Sequence, residues 1–69
     1  MATVKKVSGD RFEVSNFVMS MTHLRHEVLF EKGEPRVVAR TGCIGPEWDR
    51  HAISAVQTAL IRGEVAHAK

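Results

Sequence analysis

The end of the chain constrains the rest. Gly45-Pro46-Glu47-Trp48 through Leu60-Ile61-Arg62-Gly63 predicts one amphipathic helix over about residues 46–62, with both ends marked. Pro46 suits the first helical position, where a missing N–H costs nothing. Glu47 and Asp49 place negative charge at the positive end of the helix dipole. Arg62 falls in the last turn and Gly63 just after it, the usual stop signal. At about 100° per residue, Trp48, Ala52, Ile53, Ala55, Val56, Ala59 and Leu60 share one arc, and Trp48 is expected in the core. Such a stripe must be buried against something, and only 45 residues precede it.

A chain of 69 residues makes one small domain, with flexible ends expected at residues 1–6 and 64–69. Its hydrophobic fraction of 43% and charged fraction of 26% fit a folded globular protein rather than a disordered one. A domain of this size buries only about 60% of its unfolded surface. Small domains therefore lean on disulfides, metals or self-association. Cys43 is the single cysteine, which excludes an internal disulfide, so a homodimer is the expected supplement. No apolar run approaches the ~18 residues that span a bilayer. With no charged-then-apolar leader and one thiol, a cytoplasmic setting is expected. The net charge of +2 is too weak to imply nucleic acid unaided, although Arg11, Arg25, Arg36, Arg40, Arg50 and Arg62 supply planar forks for phosphate or carboxylate.

Upstream of the helix the pattern changes to strands. In Arg11-Phe12-Glu13-Val14, apolar and charged residues alternate after the turn signal Ser8-Gly9-Asp10. Glu31-Lys32-Gly33-Glu34-Pro35 separates Glu27-Val28-Leu29-Phe30 from Arg36-Val37-Val38-Ala39-Arg40, the signature of a hairpin. Residues 16–32 admit two readings. Phe17, Met19 and Met21 alternate as in a strand, yet Phe17, Met21, Leu24 and Val28 recur at helical spacing. The β-branched and aromatic content favours strands, with a bulge near Ser15-Asn16. The expected fold is α+β: a small antiparallel meander of three strands, or four with one near Thr3 to Val7, packed on the C-terminal helix. The alternative, residues 16–32 helical, gives a mostly α fold. The strands hold more apolar side chains than one helix covers, so an apolar free sheet face is expected to mark an interface.

Catalytic and cofactor signals are weak. His23-x-x-His26 spaces two imidazoles three apart, which suits a metal on a helix but puts the rings on opposite faces of a strand. Cys43 lies just before a helix N-terminus, where a thiol is activated, but outside any nucleophile motif. Thr41-Gly42-Cys43-Ile44-Gly45-Pro46 has the outline of a phosphate loop. It lacks the Lys-Ser/Thr pair, and Glu47 and Asp49 would repel an anion. Gly42 and Gly45 read instead as a tight strand-to-helix connection. No catalytic residue, cofactor, metal or small-molecule substrate is assigned.

Two functions remain. The first is a small non-enzymatic protein-binding module, a stand-alone inhibitor or regulator of the kind phages deploy against host or defence proteins, with Met19, Met21, Arg36, Arg40, Arg50 and Ile61 as partner-binding candidates. The types fit: methionine adapts its shape to a partner, and arginine is enriched at hot spots. The second binds nucleic acid through the sheet. A three-stranded sheet backed by a C-terminal helix, with Arg50-His51-Ala52-Ile53 on that helix, is similar in outline to the arm-binding domains of phage integrases. The resemblance covers about the last half of the chain, and in those domains the sheet enters the major groove. It implies Arg25, Arg36 and Arg40 as contacts. Strict alternation places Arg36, Val38 and Arg40 on one strand face, within reach of phosphates or guanines.

Overall fold

The computed structural model describes residues 2–17, 23–42 and 45–67. Strands β1 (Thr3–Ser8), β2 (Arg11–Ser15), β3 (Arg25–Glu31) and β4 (Glu34–Thr41) precede one helix, α1 (Pro46–Arg62). The strands form a single antiparallel meander in chain order. α1 packs across one face of it, giving an α+β fold with the fourth strand present. Thr3 to Lys6, within the expected loose start, belong to β1. The helical alternative for 16–32 fails at β3, where His26, Val28 and Phe30 are buried while Arg25 and Glu31 are exposed. That alternation is the period of a strand with one covered face.

The turns follow the sequence chemistry. Lys32 and Gly33 both take positive φ, 55° and 82°, as a two-residue type I′ hairpin requires. Between β1 and β2 only Gly9 does so, at 47°. The continuous strand expected through Phe17 does not form. Asn16 adopts φ 57° and ends β2 at Ser15, a left-handed position that asparagine tolerates. Phe17 then turns back onto the core. Val18, Met19 and Met21 lie outside the described residues, as does Cys43.

The helix buries the stripe read from its periodicity: Ala52, Val56 and Ala59 are inaccessible or nearly so. They meet Phe12 and Val14 of β2 and Val28 and Phe30 of β3. Phe12 and Phe30 pack edge to face, with centroids 5.9 Å apart. Trp48, expected in the core, is only half-buried and lies beside His51. At the far end Gly63, in the left-handed region, donates to the Leu60 carbonyl, and Glu64 donates to that of Ala59, the paired bonds of a Schellman stop. The chain then folds back. Val65 packs on the core. The His67 ring sits edge-on to Phe30 at 4.8 Å, and its Nδ1 lies 3.2 Å from Asp10 Oδ1. Among the described residues, no helix is long and apolar enough to cross a membrane.

Gly42 makes the β4–α1 connection possible. Its φ is 103°, and a Cβ there would stand 2.3 Å from Leu24 Cδ2, a side chain that is itself fully buried. Both the backbone and the space exclude a side chain. Gly42→Ala is expected to cost about 2 kcal/mol, read as a lower urea midpoint. A change within a few tenths of a kcal/mol would show that the connection relaxes freely.

Candidate interaction surface

Among the described residues nothing covers the face of the sheet away from α1, and its register orders the side chains into rows running across the strands. The first row is Thr3, Ser15, Arg25 and Thr41; the second is Lys5, Glu13, Glu27 and Ala39. The third is Ser8, Arg11, Leu29 and Arg36, and the fourth pairs Glu31 with Glu34. Successive rows lie about 6.8 Å apart, two residues of strand. Net charge alternates along the strands: positive, negative, positive, negative. Diagonal ion pairs stitch the rows together, Arg11 Nε to Glu27 Oε1 at 2.5 Å and Arg36 Nη2 to Glu31 Oε1 at 2.9 Å. Neither Arg25 nor Glu34 has an ion-pair partner among the described residues.

This corrects the expectation of an apolar free face. The strong apolar residues of the strands, Phe12, Val14, Val28 and Phe30, all project toward the helix, where Val4 and Val37 join them. Phe17 and Leu24 fill the core from outside the strands. Leu29 is left at the centre of a charged surface, half-buried among its neighbours.

A second correction concerns Arg36 and Arg40, which do not share a face. The β3–β4 register runs Glu27 opposite Ala39 and then Val28 opposite Val37, so Val38 is an extra, bulged residue. A bulge reverses which parity faces the helix. Arg36 therefore lies on the free face beside Leu29, while Arg40 lies on the helix side, opposite His26. There Arg40 grips Asp49 of α1 with a fork: Nε to Oδ1 at 2.8 Å and Nη2 to Oδ2 at 2.5 Å. The pair ties the helix start to strand β4. Hydrogen bonds from Arg40 hold the Asp49 carboxyl below the usual carboxylate range, against the opposing effect of burial. Attraction to Arg40 and His26 adds to the lowering. The same bonds raise the guanidinium of Arg40.

His26 lies beneath this pair, fully buried, with neither ring nitrogen hydrogen-bonded among the described residues. Its Nε2 is 3.6 Å from Asp49 Oδ1, close enough for attraction but too long for a hydrogen bond. Phe17 stands edge-on to the ring at 5.0 Å. Residue order alone does not assign His26 or Asp49 to this place, yet both carry a mark in it. His26 shares parity with Val28 and Phe30 in a strand whose other parity is mostly charged. Asp49 sits three residues before Ala52 on the buried stripe, where an acid signals a basic partner across the sheet.

The remaining candidates are scattered. Arg25 is exposed on the first row, while Arg50 and Ile61 are exposed on the helix. Ile61 is the most exposed large apolar residue described, at 86%. Met19 and Met21 are outside the described residues. His23 is exposed in the turn before β3. Among the described residues no three His, Cys, Asp or Glu side chains converge as metal ligands. A shallow recess at the β3–β4 turn is lined by Glu31, Lys32, Glu34, Pro35 and Arg36. Compared with known proteins, the chain matches no family model, no curated protein and no solved structure.

Two outcomes follow from the His26–Asp49–Arg40 arrangement. The Asp49 carboxyl is lowered in the folded state, so its contribution is complete above the unfolded carboxylate value near 4 and is lost as pH falls through the lower folded value. Denaturant midpoints from pH 5 down to pH 2.5 should therefore fall more steeply for the wild type than for Asp49→Asn, which should already be less stable at pH 7. Parallel acid limbs would show that the pair does not stabilise the fold. His26→Leu removes two buried nitrogens without hydrogen bonds and is expected to stabilise by about 1 kcal/mol; a loss of that size would mean that the contact with Asp49 outweighs the burial cost.

Proposed function

We propose that the protein is a small non-enzymatic protein-binding module, a stand-alone inhibitor or regulator that acts by occupying a partner surface, and that the free sheet face is the surface it uses. The observation that carries this reading is the rows of opposite charge around Leu29, with Arg11, Arg25 and Arg36 among them. Arginine is enriched at binding hot spots, and charge of both signs gives register and specificity rather than indiscriminate attraction. The edges of the sheet argue for a face. β1 carries Lys5, Lys6 and a register shift before Ser8, and β4 carries Pro35 and the Val38 bulge. These are devices that discourage pairing with an incoming strand.

The nucleic-acid alternative has less support. A duplex presents a single sign of charge, which favours a surface of the opposite sign. Here Glu13, Glu27 and Glu31 interrupt the basic rows, and Arg40 is engaged with Asp49 on the other side. The test is affinity capture with the tagged wild type, with Leu29→Glu at the centre of the face, and with Gln57→Glu on the outer side of the helix. A protein captured stoichiometrically by the wild type and Gln57→Glu, but lost with Leu29→Glu, is the expected result. Equal capture by all three would move the interface off the sheet. Binding to a random DNA duplex that falls steeply with salt would replace this reading with the nucleic-acid one.

A further inference from the structure

We infer that the partner fitted by the free sheet face is a second copy of this chain, packed face to face about a two-fold axis parallel to the rows. The inference rests on the reading of the free face as a protein-binding surface. Its warrant is charge complementarity. Turning one copy about an axis lying between the second and third rows reverses their order. The first row of each copy, with Arg25, then faces the partner's fourth row, with Glu31 and Glu34. The second row, with Glu13 and Glu27, faces the partner's third, with Arg11 and Arg36. The net charges of facing rows are opposite, and along the axis, where each strand lies over its own copy, Glu13 meets Arg11 and Arg25 meets Glu31. Turning about an axis along the strands instead lays each row on its own image, like on like, which costs energy. The pattern therefore selects one of the two simple isologous arrangements.

Three further features agree. Of the charges on this face with no ion-pair partner among the described residues, Arg25 and Glu34 sit in the two end rows that this rotation brings together, and Lys5 and Glu13 sit in the second row. Each Leu29 lies beside the axis, over the partner's Glu27 on the same strand, and the two copies stand about one row spacing apart near the centre of the contact. The twist of packed sheets is also tolerated. Two such faces cross at about 30°, which displaces the end of a row by roughly 5 Å, less than one row spacing. The face measures roughly 20 by 24 Å from strand and residue spacings, or about 500 Å² in projection. That is small for a stable complex, so the pair associates weakly and dissociates readily.

A charge-swap experiment tests this. One variant carries Glu13→Lys with Glu27→Lys, making the second row positive; the other carries Arg11→Glu with Arg36→Glu, making the third row negative. Each row variant then opposes like with like in its own dimer, but a mixture of the two restores every opposition. The expected results, by light scattering at low salt and several hundred micromolar, are a dimeric mass for the wild type, monomers for each variant alone, and a dimeric mass for the equimolar mixture. Raising salt to about 0.5 M should weaken the wild-type dimer about tenfold or more. Circular dichroism checks folding. If a double variant fails to fold, the single pair Glu13→Lys and Arg11→Glu, neighbours on β2, gives the same comparison with a smaller effect. A monomeric wild type, or a mixture that stays monomeric while the wild type dimerises, overturns the inference. The broader reading is judged separately. A monomeric wild type together with loss of a different captured protein on Leu29→Glu would sustain the protein-binding face while excluding the second copy as its partner.

Discussion

Everything in this fold depends on one seam: Ala52, Val56 and Ala59 of α1 against Phe12, Val14, Val28 and Phe30 of the sheet. Neither side is stable without the other. A 17-residue helix is marginal alone in water, and a small sheet needs a covered face. Two of the three fully seated helix residues are alanine, which brings the helix backbone close to the strands. The aromatic bulk is supplied from the sheet. With net stabilities of small domains at only several kcal/mol, the seam carries most of what keeps the chain folded. The Arg40–Asp49 fork at the helix start and the His67–Asp10 contact beyond its end hold the two ends of that seam.

A single residue organises both sides of the sheet. The bulge at Val38 lets an eight-residue strand present Pro35 and Val37 to the core at one end, Arg40 to the helix at the other, and Arg36 to the free face between them. Without it, the register set at the Lys32-Gly33 turn would carry on unchanged, and Arg40 would turn out to the free face opposite Arg25, away from Asp49. The same insertion thus lets Arg40 grip Asp49 while Arg36 stays on the opposite surface. A side chain bound inward and one displayed outward follow from one local change in backbone register.

Much of this was legible in the order of residues. The helix was, because proline, acids, arginine and glycine mark its ends and a seven-residue stripe marks its face. The two turns were, because Gly9 and Gly33 supply the positive φ that short hairpins need. The free face was not, for two physical reasons. Val37 and Val38 are alike, so nothing local shows which of them is the extra residue, and a shift by one exchanges the faces of everything beyond it. The apolar surplus also misled, because Phe17 and Leu24 reach the core from outside the strands. Asn16, with its left-handed backbone, is the small signal that β2 had already ended.

The two blunted edges have a consequence for what this molecule does when crowded. One face is sealed by the helix, and both edges are kinked or charged, so the sheet offers no way to continue itself sideways. Whatever covers the remaining face closes the last open surface of the sheet. Growth by sheet contacts therefore stops after one step, and concentrated solutions should remain clear and free of fibrils, with any excess protein left as discrete small particles.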